Sequence, residues 1–178
     1  MLEITLTRLF STLYFPPYIF AVLSLAVLGI GIGAALAALS KRLRQAHYVP
    51  FTMAFCGLST LLLTWSVPQS ATAGAPLLLL TLLLPFVGVG LAFTTLFSSD
   101  ADYSRQLYAA DLVGAGLGAL SVVPLLSVFD SLNALFAIAS LFFAAALIVA
   151  ASRWWLLGVV AALGLLALNS STGLLAVE

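Results

Sequence analysis

Asp111 is the acidic residue whose position points most directly to chemistry. It lies in the apolar run 106–126, about 8 Å from the end of that run if the run is helical. A charged carboxylate deep in hydrocarbon costs about 2.5–3.5 kcal/mol, so such a group must face protein, pair, stay protonated or reach the interface. Two interpretations compete. Asp111 contacts a proton or substrate, with Tyr108 and Arg105 as further candidates, or it is satisfied locally by Tyr108, Arg105 or the hydroxyls at 94–95.

The other residues that could carry chemistry are few and isolated. Cys56 is the only cysteine, which excludes an intrachain disulfide and a cysteine-based metal site, and His47 is the only histidine. Asp100 and Asp102 are two residues apart, but a calcium cage needs about six to eight oxygen ligands. We predict a solvated loop there. The sequence also lacks a Ser-His-Asp set, a zinc motif and a phosphate-binding loop, so we predict no catalytic residue, no metal site and no cofactor.

Two glycine runs have the spacing of helix-packing motifs. A dinucleotide-binding loop needs G-x-G-x-x-G between a strand and a helix, whereas both runs here read G-x-G-x-G inside apolar segments. Gly29 and Gly33 are four apart, as are Gly114 and Gly118, and Ala110 extends the second stripe. Because small residues at this spacing let helix backbones approach closely, we predict that these glycines serve helix packing.

The composition is that of a membrane protein. Of 178 residues, 63% are hydrophobic and 7% are charged, and the mean hydropathy is +1.23. A soluble domain carries about 25% charged residues, which it needs to cover a water-facing surface. Six basic and six acidic residues give a net charge of zero, without a basic field that would attract nucleic acid. The predicted partner is therefore the lipid bilayer, and nucleic acid is excluded.

Six apolar runs are long enough to cross a bilayer as helices, which takes about 20 residues. The predicted spans are 17–39, 49–67, 75–97, 106–126, 132–151 and 154–170. The runs are uninterrupted and do not alternate, which argues against a barrel. The predicted fold class is all-α, a polytopic membrane bundle of about six transmembrane helices over residues 15–178.

Residues 1–14 form a separate segment before this bundle. Their apolar residues fall on one helical face, with the polar residues Glu3, Thr5, Thr7 and Ser11 mostly off it. The apolar face consists of Leu2, Leu6, Leu9, Phe10 and Leu13. This pattern fits an interfacial amphipathic helix, and it fits equally the end of a spanning helix whose first part is missing.

The basic residues predict the orientation of the bundle. If Lys41–Arg44 lies in the cytoplasm, Arg105 and Arg153 fall on the same side, so five of the six basic residues are inside and only Arg8 is outside. The expected location is the bacterial inner membrane, with several passes through it.

An internal similarity relates the first and fourth predicted spans. Residues 28–36 resemble residues 113–120, and the two spans run in opposite directions. This is the signature of a 3+3 inverted repeat, as in many secondary transporters. A chance match between residues that are abundant in membrane helices is the alternative.

The stretch Arg105–Leu120, with the sequence RQLYAADLVGAGLGAL, resembles the multi-pass membrane region of spermidine-synthase-like proteins. The stretch 7–11, TRLFS, resembles the end of that family's first membrane helix. Many members continue into a soluble aminopropyltransferase-like domain. The glycine-rich loop and paired acids of that domain have no matching positions here, so the resemblance implies no catalytic residue, and we predict that the chain is not an enzyme by itself.

Three functions remain open from the sequence. The first is a non-catalytic membrane module that anchors, or passes a small substrate to, a soluble aminopropyltransferase-like or methyltransferase-like partner. The second is a small secondary transporter with an intramembrane site near Asp111. The third is a structural subunit among other membrane subunits.

Overall fold

The computed structural model of the chain is helical and has no strand in the residues that it describes. These are 1–13, 17–73, 75–99, 103–150 and 152–173. Six of the helices in these ranges are long and apolar enough to cross a membrane. The prediction of an all-α, multi-pass membrane fold is thus confirmed. The predicted 3+3 repeat is not shown.

Seven α-helices follow one another within the described residues. They are α1 (Leu2–Leu13), α2 (Pro17–Leu39), α3 (Val49–Ala73), α4 (Ala75–Ser99), α5 (Ser104–Val128), α6 (Ser131–Ala150) and α7 (Trp154–Thr172). A single turn of 3-10 helix, Ala46–Tyr48, precedes α3. The helices α2 to α7 have 19 to 25 residues. Each is therefore long enough to cross the roughly 30 Å of hydrocarbon.

Helix α3 continues beyond its predicted end at residue 67. The predicted span stops just before Pro68, but the helix runs through Pro68 to Ala73. Proline lacks an N–H group and leaves the carbonyl of Thr64 without its helical donor. A membrane helix tolerates this loss where neighbouring helices, side chains or water satisfy the freed group.

The basic loop lies at the same end of the bundle as the start of α7. The hydroxyl of Thr95, in the last turns of α4, lies 2.8 Å from the carbonyl oxygen of Leu43 in the basic loop. Phe51 at the start of α3 packs edge-to-face on Trp155 at the start of α7, with ring centroids 5.6 Å apart. We call this the inner end of the bundle, following the orientation predicted from the basic residues, and the opposite end the outer end.

The closest helix crossing joins α2 to α4. A Cβ atom at Gly29 would lie 2.7 Å from Cβ of Phe86, and a Cβ at Gly90 would lie 2.9 Å from the carbonyl carbon of Ile30. Glycine on both helices thus lets the two backbones approach closely. Helix α3 packs against α4 and α6, and α7 packs mainly against α6.

Helix α1 completes the core at the outer end, where it packs against α2, α6 and α5. The predicted apolar residues of α1 whose side chains are described are buried, namely Leu2, Leu6, Leu9 and Phe10. Thr5, which the sequence pattern placed mostly off this face, is also fully buried. The reason is that α1 has neighbours on more than one side, so its buried surface is wider than a single apolar stripe.

Candidate functional site

Arg105, Tyr108 and Asp111 lie in the first eight residues of α5, at the inner end of the bundle. Successive members are three residues apart, so they are neighbours on one side of the helix. Arg105 and Tyr108 are exposed, and Asp111 is half-buried. Within the described part of the chain, none of these side chains makes a hydrogen bond or an ion pair with another residue. The three predicted candidates thus lie on one side of α5, and no described side chain of another helix binds to them.

The hydroxyls of 94–95 do not act as the partners that we considered for Asp111. The Thr95 hydroxyl lies 2.7 Å from the carbonyl oxygen of Leu91 and 2.8 Å from that of Leu43. A hydroxyl has a single hydrogen, which Thr95 shares between these two acceptors. Thr95 therefore ties the basic loop to α4. Asp111, seven residues and about 10 Å into α5, lacks a local donor among the described residues.

The inner part of α5 contains no buried residue. From Ser104 to Leu117 every residue is exposed or half-buried, and the buried residues of α5 are Val122 and Leu126, near its outer end. A Cβ at Gly114 would have no neighbouring atom within 4 Å. The two predicted packing motifs therefore have different surroundings. Gly29 and Gly33 lie in the crossing with α4, whereas a Cβ at Gly114 would contact none of the described residues of the other helices.

Helix α1 covers the outer part of α5. A Cβ at Gly118 would lie 3.2 Å from the Met1 side chain, and the guanidinium of Arg8 donates a hydrogen bond of 3.3 Å to the carbonyl oxygen of Leu126. The two helices therefore run parallel, with Met1 beside Gly118. A positive charge is also favourable at the C-terminal end of a helix, where Leu126 lies.

Helix α1 packs against both α2 and α5, whereas α2 and α5 have no extended contact with each other. Asp111 lies seven residues before Gly118, hence two turns further in on the same face of α5. On α2, Leu28 and Ile32 are 52% and 37% exposed.

Glu3 is a second acid at membrane depth, which the sequence analysis did not single out. Met1 lies beside Gly118, near the middle of α5, and Glu3 follows in the first turn of α1. Its side chain is exposed and has no hydrogen bond or ion pair with a described residue. The sequence feature that could have identified Glu3 is its position as an acid between the apolar residues Leu2 and Ile4.

Buried polar contacts between helices were also missed. The amide of Asn169 in α7 donates a hydrogen bond of 2.8 Å to Oδ1 of Asn133 in α6. The hydroxyls of Ser66 in α3 and Thr81 in α4 lie 2.8 Å apart. Isolated amides and hydroxyls in apolar runs indicate that such hydrogen bonds exist, but the sequence does not show which of these side chains bind each other.

The described residues contain no group of three or more His, Cys, Asp and Glu side chains that could hold a metal ion. Asp100 and Asp102 lie outside these residues. No protein-family model, curated protein or solved structure matches the chain. The resemblance to spermidine-synthase-like proteins therefore stays a prediction from the residues alone.

Proposed function

We propose that the chain is a non-catalytic membrane module that holds a partner protein through α5. The observation that carries this proposal is the exposed inner part of α5, which bears Arg105, Tyr108 and Asp111. Binding sites for small molecules are concave and surround most of the ligand. Side chains on one uncovered helix instead form part of a surface that another protein completes.

The partner that fits the resemblance is a soluble aminopropyltransferase-like or methyltransferase-like protein. Arg105 and Tyr108 lie near the inner end of α5, which faces the cytoplasm in the predicted orientation, and both are exposed. They are available to such a protein, whereas Asp111 lies deeper. In this proposal the chain works in a bacterial inner membrane, where it keeps the enzyme next to the bilayer or passes a small substrate to it.

A small secondary transporter is the second candidate function. Asp111 and Glu3 favour it, because both are acids at membrane depth without a partner among the described residues. Unpaired intramembrane acids often mark substrate or proton pathways. A small cation that crosses beside α5 would contact first one acid and then the other.

One pair of measurements separates the two functions. Membranes that contain the chain are washed and assayed for retained aminopropyltransferase activity, with Arg105→Ala/Tyr108→Ala as the variant and Trp154→Ala as an exposed control on α7. The purified chain in liposomes is assayed for uptake of a diamine, with Asp111→Asn as the variant. We expect the membranes to retain aminopropyltransferase activity, and we expect Arg105→Ala/Tyr108→Ala but not Trp154→Ala to abolish this retention. We expect the liposomes to take up no diamine. Uptake that is abolished by Asp111→Asn would instead establish the transporter.

A further inference from the structure

We propose that the inner end of α4 and the basic loop together bind the headgroup of an anionic phospholipid. The cations of this site are Lys41 and Arg42 in the loop. Its wall is a cavity of about 330 Å³ on α4, whose described lining residues are Phe93, Thr94, Phe97 and Ser98. We call this the α4 headgroup site. It is separate from the α5 surface of the proposed function, so either proposal can fail without the other.

The cavity lies level with the end of α2. On α4, Phe93 and Phe97 follow Phe86 by seven and eleven residues, so they continue the face that crosses α2. In that crossing Gly33 of α2 lies opposite Leu91 of α4, and both helices run toward the inner end. Helix α2 ends six residues after Gly33, which is level with Phe97, six residues after Leu91. The basic loop therefore begins at the level of the cavity.

Two hydrogen bonds hold the basic residues at this level. The N–H group of Leu43 donates to the carbonyl oxygen of Ser40 at 3.1 Å, which makes a tight turn with Lys41 and Arg42 at its centre. The carbonyl oxygen of Leu43 lies 2.8 Å from the hydroxyl of Thr95, which fixes this turn to α4. A chain extends at most about 3.6 Å per residue, so both cations start within about 7 Å of Leu43. Both side chains are exposed and have no ion-pair partner among the described residues.

The hydroxyl of Thr94 supplies a polar group in the cavity wall. Thr94 is half-buried, and its hydroxyl makes no hydrogen bond with a described residue. The hydroxyl of Ser98 differs, because it donates to the carbonyl oxygen of Thr94 within α4. A threonine hydroxyl can donate one hydrogen bond, and a phosphate or glycerol oxygen can accept it. The cavity thus offers one unused donor beside the two cations.

The aromatic wall favours a lipid over a free anion. The rings of Phe93 and Phe97 are stacked, with centroids 5.6 Å apart, and both lie within the membrane span Leu77–Ser98. The glycerol and upper acyl chain of a phospholipid would cover these rings, whereas inorganic phosphate would leave them uncovered. Basic residues at the cytoplasmic surface attract anionic lipids, and basic pockets between membrane helices bind their headgroups. The occupant that fits is a phospholipid of the inner leaflet with a net negative charge.

The test measures lipid binding to the full chain in a mild detergent by native mass spectrometry. The probes are phosphatidylglycerol and phosphatidylcholine with the same acyl chains. We expect phosphatidylglycerol to bind roughly tenfold to thirtyfold more tightly, because two nearby cations favour its net negative charge. This preference should fall when the salt concentration rises from about 0.1 M to about 1 M, which shortens the Debye length from about 10 Å to about 3 Å. Equal affinity for the two lipids would overturn the proposal.

A pair of charge variants separates the site from a general attraction to the inner end. Arg42→Gln should weaken the binding of phosphatidylglycerol roughly fivefold, as expected for one basic residue near the surface. The matched control is Arg153→Gln, because Arg153 is also exposed and lies at the inner end, at the start of α7. The control should leave binding unchanged. Equal losses in the two variants would mean that overall charge attracts the lipid, and would overturn the site.

Two variants without a change of charge test the cavity and the position of the loop. Thr94→Val should weaken binding roughly threefold, the effect of one polar contact in a membrane. Ser98→Ala is its control and should have a smaller effect. Thr95→Val should also weaken binding, because it releases the turn from α4. If Thr94→Val and Thr95→Val both bind as the parent chain does, the cavity is not part of the site and the proposal is wrong.

Two further measurements complete the test. Thermal unfolding of each variant in detergent distinguishes a loss of binding from misfolding, and Arg42→Gln, at an exposed position, keeps the test decisive if Thr95→Val fails to fold. Inorganic phosphate and a polyglutamate peptide are added as competitors. We expect neither to displace phosphatidylglycerol at equal concentration. Displacement by phosphate would assign the site to free anions, and displacement by the peptide would assign it to an acidic protein; either result would overturn the lipid as the occupant.

Discussion

Gly33 of α2 lies so close to α4 that a Cβ at this position would stand 2.8 Å from the backbone nitrogen of Leu91, and closer still to the carbonyl oxygen of Val87. Backbone atoms cannot move aside as the end of a flexible side chain can. The crossing between α2 and α4 therefore depends on glycine at this position. Two residues away, a Cβ at Gly31 would have no neighbour within 4 Å.

The first prediction contrasts these two glycines. Gly33→Ala should lower the free energy of unfolding by about 1–3 kcal/mol, because the extra methyl group forces α2 and α4 apart. Gly31→Ala should leave it unchanged or raise it by up to about 1 kcal/mol, because alanine is the better helix former. Unfolding in detergent, followed by circular dichroism, compares the two. Equal effects would mean that α2 and α4 do not cross at Gly33.

The second prediction concerns the hydrogen bond between Asn169 and Asn133. Asn169→Leu should lower the free energy of unfolding by about 0.5–2 kcal/mol, because it leaves a buried amide of α6 without this partner. The double variant Asn133→Leu/Asn169→Leu should lower the free energy of unfolding by less than the sum of the two single variants, because the two residues interact directly. The control is Ser170→Ala, since Ser170 is exposed and its hydroxyl donates within its own helix. Additive single effects would contradict a direct contact.

The third prediction concerns Thr95 and the basic loop. Thr95→Val keeps the shape of the side chain but removes the hydroxyl that reaches the carbonyl of Leu43. We expect the segment Lys41–Arg44 to become more mobile, with faster amide hydrogen exchange and faster cleavage by trypsin. Ser98→Ala is the control, because the Ser98 hydroxyl donates to Thr94 in its own helix. Unchanged cleavage in Thr95→Val would show that the loop is held by other contacts.

The membrane spans could be predicted from sequence because they depend on a local property. About 20 consecutive apolar residues are enough to define a spanning helix, whatever it packs against. The apolar face of α1 was predictable for the same reason. The end of α3 was not, because Pro68 would break a helix in water but is tolerated where other groups replace the lost hydrogen bond.

The candidate site could be predicted only as far as its residue types. Gly29/Gly33 and Gly114/Gly118 are the same pattern in sequence, yet both residues of the first pair lie against α4, whereas in the second pair only Gly118 lies beside another described residue, Met1. That difference depends on the positions of α1 and α4 in the bundle, which cannot be predicted from a local sequence pattern. The contact of Arg8 with the Leu126 carbonyl joins residues 118 positions apart and was inaccessible for the same reason.

The fourth prediction tests the orientation on which the inner and outer ends are named. With Cys56 replaced by alanine, Gln45→Cys beside the basic loop should react with a membrane-impermeant maleimide only when the cytoplasmic face is open. Asp130→Cys, between α5 and α6, should react from the opposite face, because three spans, α3, α4 and α5, lie between the two positions. Both positions are exposed, so access to the reagent does not limit labelling. Labelling of both cysteines from one side would contradict the arrangement of spans.

The fifth prediction concerns the hydrogen bond from Arg8 of α1 to the Leu126 carbonyl of α5. Arg8→Leu removes the donor to the Leu126 carbonyl and the positive charge at the C-terminal end of α5. We expect a loss of roughly 1 kcal/mol or less, because the guanidinium is exposed and interactions of this kind are weak there. The effect should be local, since α5 has few other contacts: amide exchange should accelerate around Val122–Val128 and stay unchanged in the crossing of α2 with α4. Arg8→Lys, which keeps the charge, should show a smaller acceleration, and acceleration throughout the bundle would mean that Arg8 supports the whole fold and not the position of α5.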